Sequence, residues 1–451
     1  MNIFLSGIGG VSMSGLAHIA LSNGHKVFGS DMEISKNVEK LIGEGATVYH
    51  GHKAERITNE IDLYVYTSAI RGDNPEYIKA KELGIKMQNR AVFLGELMDL
   101  YPNSISVAGT HGKTSTTSML STIMTMSEND PTILVGGNLG LINGNVRIGK
   151  SDNFITEACE YTNSFLNFKS NIGIVLNIEA DHLDYFKDLN EIIDSFNKFG
   201  KLIKEDGYFI INGDDENTSR IDKDVKATVI RFGKSEKNDA VIDVLGYTED
   251  GCGRFTITYN EELLGVFELA VPGEHNVYNA TSAIIASYVS GIDVETIREM
   301  ISLYRGVGRR FEHKGYTEAG TRVIDDYAHH PTEIKATLKA ISNMEYDKVW
   351  AIFQPHTYSR TESLLDEFAK SFNDADVIVV PDIYASREKF TDSISSGDLV
   401  KEIIRNTEGK DVRYIRNFEC IADFVKDAKA NDIIVTLGAG DVYRIAEMIA
   451  K

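Results

Sequence analysis

The sequence predicts an α/β protein whose open, mostly parallel sheets are divided among three domains. Short runs of β-branched and aromatic residues alternate with amphipathic helical segments, which is the pattern of parallel strands joined by right-handed crossovers. The 451 residues exceed what one hydrophobic core ordinarily supports, and about one domain per 150 residues gives roughly three. The composition, with 42% hydrophobic and 25% charged residues, is that of a globular chain.

The first predicted domain spans residues 1–103 and is Rossmann-like. Five β-rich segments, NIFLSG, KVFGSD, ATVYHG, DLYVYTSA and IKMQNR, are separated by helical segments, and YPNS at 101–104 is a predicted linker. In LSGIGGVSMSG, at 5–15, glycines join the first strand to a helix, and Asp31 closes the next strand. This is close to a dinucleotide-binding fingerprint, in which loop amides bind a diphosphate and the acidic residue binds a ribose. Because Ser12 stands where the fingerprint has its last glycine, a nicotinamide cofactor and another phosphate ligand both remain open.

The second predicted domain, residues 104–312, contains the strongest motif, VAGTHGKTSTTSML at 107–120. A strand, a glycine loop and a helix follow one another, so loop amides converge on phosphate oxygens at the positive end of the helix. Lys113 then reaches the β- and γ-phosphates, and the Thr114 hydroxyl binds Mg²⁺. Val107 replaces the first glycine of a full phosphate-binding motif, which leaves an ordinary strand–loop–helix turn as the alternative. The prediction is a central α/β domain of the P-loop ATPase type.

Acidic residues follow two later strands of the same domain. TEACEYTNSF places Glu157 and Glu160 at a strand end, and NIEADHLDYF adds His182 among further carboxylates. Mg²⁺ needs only one or two carboxylates, because it keeps several of its waters. Solvated strand ends or helix caps are the alternatives, but the position of both clusters after a phosphate loop favours metal binding. The further carboxylates are Glu179, Asp181 and Asp184.

A change to alternating polar and apolar residues at 240–270 predicts an antiparallel excursion. In VPGEHNVYNATSA, which follows, Asn276 and Asn279 share one helix face, and their amides can recognise a purine. The alternative is that Asn276 is only an N-cap. GVGRRF then supplies Arg309 and Arg310 as rigid cationic groups for a phosphate or a carboxylate.

The third predicted domain, residues 313–451, is a further Rossmann-like open α/β sheet. DDYAHHPTE and FQPHTYSRT follow predicted strands, and open α/β sheets bind ligands at the carboxyl ends of their strands. His329, beside a carboxylate, can transfer protons near neutral pH, and Arg360 can bind a carboxylate. A metal site or a purely structural pair is the alternative for His329 and His330.

Bulk charge and cysteine content exclude several classes of protein. The formal net charge of −20, from 47 basic and 67 acidic residues, argues against a nucleic-acid partner. Cys159, Cys252 and Cys420 form no CxxC pair, so neither a disulfide framework nor a thiolate zinc site is predicted. No apolar run is long enough to span a bilayer, and the N-terminus enters a strand instead of a signal peptide. A cytoplasmic protein with no nucleic acid and no membrane among its partners is expected.

Taken in order along the chain, these motifs resemble the Mur ligases of peptidoglycan synthesis. The segments are GIGGVSMSG, GTHGKTS, EACEY, NIEADHLD, PGEHNVYNA, GVGRRFE, DDYAHHPTE, FQPHTYSRT and GAGD, and they extend over essentially the whole chain. The resemblance implies an ATP-dependent ligation in which the lactyl carboxylate of UDP-N-acetylmuramate becomes an acyl phosphate that the amine of L-alanine attacks. It also implies ATP and Mg²⁺ as cofactors, with two ions and Mn²⁺ as a substitute, small-molecule substrates, and a monomer or homodimer.

The resemblance assigns roles to individual residues. Catalysis is expected from Lys113, Glu157, His182, His329 and Arg360, and metal binding from Thr114, Glu157 and His182. ATP is expected to contact Gly109, Thr110, His111, Gly112, Lys113, Thr114, Ser115, Asn276, Asn279 and Arg310. The UDP-substrate is expected to contact Gly7, Gly9, Gly10, Val11, Ser12, Asp31 and Ser68. The amino acid is expected to contact Asp326, Tyr327, His329, His356 and Arg360.

The chain departs from the family pattern at two positions, and other functions stay open. Thr357 and Ala328 stand where many relatives have Arg and Gly, which leaves Arg360 as the main group for the amino-acid carboxylate. A ligase that joins a whole peptide to UDP-N-acetylmuramate shares most of the motifs. An NAD-dependent oxidoreductase explains residues 5–31 but not the loop at 107–117, and a non-catalytic nucleotide-binding protein does not need an intact phosphate loop.

Overall fold

A computed structural model describes residues 1–67, 69–183, 185–386 and 388–451. The predicted α/β class is confirmed: the described residues form three sheets, and most strand pairs are parallel. The chain divides into two compact units, the first formed by residues 1–241 with 280–300 and the second by 242–279 with 301–451. The predicted domain boundaries after residues 103 and 312 stay predictions.

The first sheet of the first unit has five parallel strands in the order β3-β2-β1-β4-β5. All of the strands predicted for this segment are present. Asn74 and Asn89 begin two of the helices, since each side chain accepts hydrogen bonds from two first-turn amides. The elements are β1 (Asn2–Ser6), α1 (Val11–Ser22), β2 (Lys26–Asp31), α2 (Lys36–Gly43), β3 (Thr47–His50), β4 (Leu63–Tyr66), α3 (Pro75–Glu82), β5 (Lys86–Asn89) and α4 (Arg90–Met98).

The second sheet of this unit runs β12-β11-β10-β6-β9-β7-β8, parallel except for the edge strand β8. Its elements are β6 (Asn103–Ala108), α5 (Lys113–Met126), β7 (Thr132–Leu139), β8 (Gly144–Arg147), β9 (Asn153–Glu157), β10 (Ile172–Val175), α6 (Leu189–Lys201), β11 (Tyr208–Asn212) and β12 (Thr228–Gly233). The linker prediction is partly wrong, because Asn103 and Ser104 already belong to β6, where Asn103 N donates to Asp152 O at 3.1 Å. The sheet brings the carboxyl ends of β6, β9 and β10 side by side.

The predicted antiparallel excursion is confirmed. After β13 (Ala240–Tyr247), the second unit contains the antiparallel pair β14 (Cys252–Tyr259) and β15 (Glu262–Pro272). The helices α7 (Glu274–Val289) and α8 (Val294–Ser302) follow along the chain. Alternate residues of β14, including Phe255 and Ile257, are fully buried, which is what strict alternation along a half-covered strand predicts.

The third sheet lies in the second unit, with the strand order β16-β17-β21-β18-β19-β20 and only β16 antiparallel to its neighbour. Three of its inner strands, β18, β19 and β21, are apolar apart from Thr436, as expected for strands covered on both faces. The elements are β16 (Glu312–Tyr316), β17 (Arg322–Asp326), α9 (Pro331–Ile341), β18 (Val349–Phe353), α10 (Tyr358–Ser363), α11 (Leu365–Ala369), β19 (Val377–Val380), α12 (Ser396–Asn406), β20 (Asp411–Tyr414), α13 (Phe418–Phe424), β21 (Ile433–Leu437) and α14 (Tyr443–Ile449). Among the described residues, no helix has the length and apolar character needed to cross a membrane.

Candidate functional site

The glycine loop of the first unit follows β1 and leads into α1. Gly7 N and Ile8 N both donate to Ser30 O, at 2.8 and 3.1 Å, so the end of β2 holds the turn. Gly7 has a φ of +79°, a conformation that a side chain disfavours. α1 begins at Val11 without a side-chain cap, so the amides of its first turn are available to an anion at the positive end of the helix. This geometry suits a diphosphate.

Asp31 shapes the same loop. Its Oδ2 accepts a hydrogen bond from Gly9 N at 2.7 Å, and its Oδ1 accepts one from Glu33 N at 3.2 Å. A Cβ atom on Gly9 would lie 2.9 Å from Asp31 Oδ2, so a side chain at this position would displace the Asp31 carboxylate. Ser68, the other predicted uridine-side residue, lies outside the described residues.

The phosphate loop, residues 109–115, joins β6 to α5. Gly109 and Gly112 have φ angles of +138° and +84°, and Gly112 is the N-cap of α5. Asn177 fixes the loop from the end of β10: its Oδ1 accepts from His111 N at 2.8 Å, and its Nδ2 donates to His111 O at 3.2 Å. Sequence analysis missed Asn177, although its place at the end of a buried strand in NIEADH was a usable signal.

The Lys113 ammonium lies inside this loop and is engaged by protein atoms. It donates to both carboxylate oxygens of Glu160, at 3.0 and 3.2 Å, to Thr110 O at 3.0 Å, and to Gly109 O. Burial acts to lower the pKa of Lys113, but nearby acidic groups, Glu160 foremost, outweigh burial, so the pKa is raised. The lysine is therefore charged, and Thr114, the next residue, is buried beside it.

Glu160 connects the phosphate loop with the segment NIEADHLDYF, which contains Asp181 and His182. Its side chain is only 4% exposed, and its Oε1 lies 3.7 Å from His182 Nε2. The same imidazole nitrogen lies 3.7 Å from Asp181 Oδ2, and the ring packs against Tyr161 with a centroid distance of 4.6 Å. His182 has a φ of +55°, which is uncommon for a residue with a Cβ atom. Lys113 and His182 thus share one buried carboxylate.

Glu157, the predicted metal ligand of β9, has a different neighbour. Its Oε1 accepts a hydrogen bond from Gly136 N at 2.6 Å, and a Cβ atom on Gly136 would lie 2.9 Å from either carboxylate oxygen. The carboxylate in contact with both Lys113 and His182 is that of Glu160. Hydroxyl and carboxylate oxygens, such as those of Thr114, Glu157 and Glu160, are the ligand types that Mg²⁺ and Mn²⁺ prefer.

In the second unit, the two predicted purine-binding amides are buried and joined to each other. Asn279 Nδ2 donates to Asn276 Oδ1 at 3.1 Å, and Asn276 Nδ2 donates to Pro272 O at 2.7 Å. The N-cap interpretation of Asn276 is wrong, because α7 begins at Glu274 and places Asn276 in its first turn. The neighbouring His275 is buried, which lowers its pKa to about 4 and keeps the ring neutral at pH 7.

The two arginines of GVGRRF differ in their surroundings. Arg309 donates to Asp325 Oδ2 at 3.2 Å and to Gly438 O at 2.7 Å, so its guanidinium ties β17 to the end of β21. Arg310 lies over the ring of Tyr327, with 4.7 Å from its Cζ to the ring centroid. Arg310 is the arginine expected to contact the nucleotide, and its positive charge partly offsets the rise that burial causes in the pKa of Asp326.

Asp326, at the end of β17, holds the turn that follows. It accepts from Ala328 N at 2.8 Å and from Phe311 N at 3.0 Å, and burial raises its pKa to about 6. His329 Nδ1 lies 3.0 Å from Tyr327 O and 3.2 Å from a Glu333 carboxylate oxygen. These contacts present His329 at the carboxyl end of the strand.

His356 and Arg360 follow β18 in the same unit. Arg360 Nη1 lies 3.3 Å from His356 Nδ1, and the His356 ring stands 6.1 Å from that of His329. Tyr384, which sequence analysis missed, stacks on His356 with a centroid distance of 5.6 Å. Thr357 is the N-cap of α10 and has a φ of +68°, an unusual value for a β-branched residue. Three of the predicted amino-acid-binding side chains therefore lie together.

Family comparisons cover most of the chain. Residues 3–102 match the family described as "Mur ligase family, catalytic domain", residues 107–287 match "Mur ligase middle domain", and residues 309–440 match "Mur ligase, glutamate ligase domain". The matched residues include the glycine loop, the phosphate loop, and His329 and His356 of the second unit.

Full-length relatives and solved structures agree with these matches. The chain is 48% identical over 446 residues to a UDP-N-acetylmuramate–L-alanine ligase of Caldanaerobacter subterraneus subsp. tengcongensis, covering 99% of this chain and 96% of the relative. A UDP-N-acetylmuramate-alanine ligase from Thermotoga maritima has a similar structure, with a TM-score of 0.82, 27% identity and coverage of 100% and 98%. A murein peptide ligase from Psychrobacter arcticus gives a TM-score of 0.70 at 26% identity, with the same coverage.

Proposed function

The chain belongs to the Mur ligase family, and from that premise we propose that it joins L-alanine to the lactyl carboxylate of UDP-N-acetylmuramate. The ligation consumes ATP, releases ADP and phosphate, and belongs to peptidoglycan precursor synthesis. The observation that carries the proposal is 48% identity, over 99% of this chain, to a ligase of that name. The charged Lys113 in its glycine loop is consistent with this activity.

The reaction is an activation followed by an acyl transfer. A carboxylate oxygen of UDP-N-acetylmuramate attacks the γ-phosphorus of ATP, the bond to the β-phosphate oxygen breaks, and an acyl phosphate and ADP form. The alanine amine then attacks the acyl carbon, a proton leaves the nitrogen, and inorganic phosphate departs from the tetrahedral intermediate. Lys113 stabilises the negative charge that moves through the transferring phosphate, and the loop amides hold the phosphates in line.

The metal ligands of the ATP site are part of the proposal. We assign Thr114, Glu157 and His182 to divalent ions, two Mg²⁺ with Mn²⁺ as a substitute, which offset phosphate charge when bound. The oxygen donors of this set suit such ions. Because Glu160 contacts Lys113 and lies 3.7 Å from His182, we add Glu160 as a further candidate.

Two matched amide variants separate these carboxylates. Glu157→Gln and Glu160→Gln keep side-chain size and remove one charge each. If a carboxylate binds the ion, its variant requires at least about tenfold more Mg²⁺ for half-maximal turnover, because the charged ligand is lost. A magnesium titration of phosphate release in both variants decides the assignment, and an unchanged titration midpoint removes that residue from the metal site.

Binding of the remaining substrate groups follows the sequence assignments. We propose that Asn276, Asn279 and Arg310 contact the nucleotide, and that Tyr327, His329, His356 and Arg360 contact the amino acid. Asp326 supports the amino-acid pocket through the backbone amides it accepts from. We further propose a cytoplasmic location, with no nucleic acid or membrane partner, and a monomeric or homodimeric state, which sedimentation equilibrium distinguishes.

A ligase that attaches a whole peptide to UDP-N-acetylmuramate is the second candidate. The similarity to the murein peptide ligase of Psychrobacter arcticus favours it, but the similarity to the Thermotoga maritima alanine ligase is greater. Membership of a ligase family sets the oxidoreductase alternative aside.

Phosphate release from ATP and UDP-N-acetylmuramate, measured with L-alanine, Gly, L-Ser or a tripeptide, tests the choice. Release that depends on L-alanine is expected. Release with the tripeptide alone would overturn the proposal in favour of the second candidate.

A further inference from the structure

Glu388 lies in the segment that follows β19, and its carboxylate contacts the start of α10. Its Oε2 accepts from Tyr358 N at 2.6 Å and from Ser359 N at 3.2 Å, and its Oε1 accepts from Ser359 Oγ. Both amides belong to the first turn of α10, where N–H groups have no acceptor within the helix. Glu388 therefore supplies the start of α10 with acceptors and with a negative charge, which is favourable at that end of a helix.

Backbone contacts join the same two segments of the second unit. Tyr384 N donates to Pro355 O at 2.8 Å, and Thr357 N donates to Tyr384 O at 2.9 Å, so the chain after β18 pairs with the chain after β19. The ring of Tyr384 also stacks on that of His356, with an interplanar angle of 19°. The segment after β19 therefore supports residues 355–360 through both its backbone and its side chains.

Thr357 is the point at which the supported backbone is strained. Its φ of +68° and ψ of +146° lie in a region that glycine favours and a β-branched residue disfavours. Such a conformation persists only where the surrounding structure holds it, and it is concentrated at functional sites. Here Tyr384 O accepts from the amide of Thr357, and Glu388 accepts from the amides of the next two residues. The strained turn is thus held on both sides.

The same turn sets the distance between two side chains assigned to the amino acid. His356 precedes the turn, whereas Arg360 belongs to α10, which begins after it. Arg360 Nη1 lies 3.3 Å from His356 Nδ1, and Arg360 N donates to Thr357 Oγ1 at 3.4 Å. The direction in which α10 leaves the turn therefore determines where the guanidinium stands relative to the imidazole.

From these contacts we infer that Glu388 is a positioning residue for the amino-acid substrate, because it holds the strained turn at Thr357 and thereby places Arg360. The inference rests on the proposed function, in which Arg360 contacts the amino acid. Both carboxylate oxygens of Glu388 are engaged by groups of α10. Glu388 therefore acts through the helix and does not itself contact the amino acid.

Steady-state kinetics with each substrate varied in turn test this role. Glu388→Ala should raise the KM for L-alanine about tenfold, the order expected when hydrogen bonds to a charged group are lost, and leave the KM values for ATP and UDP-N-acetylmuramate within about twofold of wild type. Glu388→Gln keeps one acceptor oxygen and should recover part of the affinity. Glu419→Ala, at an exposed glutamate in the first turn of α13, is the matched control and should leave all three KM values unchanged.

A double-mutant cycle with Arg360 distinguishes positioning from a general loss of stability. Arg360→Gln should raise the KM for L-alanine by itself, and adding Glu388→Ala should raise it by less than about twofold more, because Glu388 acts through Arg360. Additive effects, or KM values that rise together for all three substrates, would overturn the inference.

The single variants separate this role from the site on which it rests. An unchanged KM for L-alanine in Glu388→Ala, beside a raised KM in Arg360→Gln, would refute the positioning role alone. An unchanged KM for L-alanine in Arg360→Gln would refute the proposed contact between Arg360 and the amino acid.

Discussion

Lys113 and Glu160 form a pair whose members depend on each other before any nucleotide binds. The Glu160 side chain is only 4% exposed, and the ammonium lies 3.0 Å from its Oε2. Removing one member of such a pair leaves a buried charge without compensation. If Lys113 binds ATP as proposed, ATP competes with Glu160 for the lysine, and the freed carboxylate becomes available to His182 or to an ion.

On the proposed assignment, substitution of Lys113 should affect catalysis and leave binding of the UDP-substrate intact. Lys113→Met should reduce turnover by at least about 1,000-fold, because it removes a group that stabilises the transferring phosphate, and should leave UDP affinity nearly unchanged. It should also destabilise the protein by about 3 kcal/mol through the unpaired Glu160. The double variant Lys113→Met with Glu160→Gln should regain most of that stability without regaining activity.

Phosphate release, UDP titration and chemical denaturation measure the three effects. Lys198→Met, on the last turn of α6, is the control that removes a lysine elsewhere in the same unit. Loss of UDP binding in Lys113→Met would contradict the separation of the two sites.

His275 and Asp326 give the second unit two opposing pH dependences. Burial lowers the pKa of His275 from 6.5 to about 4, so the unfolded chain binds more protons between these values and stability rises with pH there. Burial raises the pKa of Asp326 from 3.8 to about 6, so the folded chain binds more protons and stability falls with pH across that window. Each of the two groups changes the free energy of unfolding by about 3 kcal/mol between its two pKa values.

Variants at these two positions should change the slope of stability against pH in opposite directions. Between pH 4 and 6, Asp326→Asn should gain stability with pH more steeply than wild type, and His275→Asn less steeply. Urea denaturation at unit steps of pH measures both slopes, and absolute stability differences do not affect the comparison. Identical slopes in all three proteins would refute this assignment.

Among the structural elements, the first sheet depends on one buried carboxylate. Glu76, in the first turn of α3, is fully buried and accepts from Ser6 Oγ at 2.8 Å, Ser30 Oγ at 2.6 Å and Lys53 N at 3.2 Å. His52 Nδ1 lies 2.9 Å from the same carboxylate. Glu76 therefore ties together the ends of β1 and β2, directly before the glycine loop, and the turn after β3.

Loss of this carboxylate should weaken both the sheet and the loop. Glu76→Ala should lower the free energy of unfolding by about 3–5 kcal/mol, because several buried donors lose their acceptor, and should reduce UDP affinity. Glu76→Gln keeps one acceptor oxygen and should lose less. Glu82→Ala, at the exposed end of α3, is the matched control. Thermal and urea unfolding measure the effect, and a change below about 1 kcal/mol in Glu76→Ala would contradict this role.

At the scale of the whole molecule, the fold class and the order of the site segments follow from the sequence. Glycines at positions that need positive φ, such as Gly112, and the alternation of strands and helices are local signals, so they can be predicted. The partners of individual side chains depend on the packing of residues that are far apart in the sequence, so they cannot be predicted in this way. No pattern in the sequence indicates that Asp31 accepts from Gly9 N or that Arg90 reaches Ser12.

Two of the predictions made from local sequence, an N-cap at Asn276 and a linker at 101–104, are wrong or partly wrong. Asn276 has N-cap character by residue type, but the chain begins α7 two residues earlier and buries the amide against Pro272 O. Asn103 and Ser104 have turn character, but pairing along β6 with β9 incorporates them into the sheet. For Asn103 and Ser104, long-range strand pairing outweighs a local turn preference, whereas the side-chain hydrogen bonds of Asn276 are to residues only three and four positions away.

In the proposed reaction ATP activates the carboxylate of UDP-N-acetylmuramate for attack by L-alanine, and this activation transfers one carboxylate oxygen to the phosphate. UDP-N-acetylmuramate labelled with ¹⁸O in both lactyl carboxylate oxygens is incubated with ATP, Mg²⁺ and L-alanine, and the phosphate is examined by mass spectrometry. An acyl phosphate intermediate predicts one ¹⁸O atom in each phosphate released and one amide product per phosphate, with no release when L-alanine is omitted. Phosphate free of ¹⁸O, or released equally without L-alanine, would exclude this reaction.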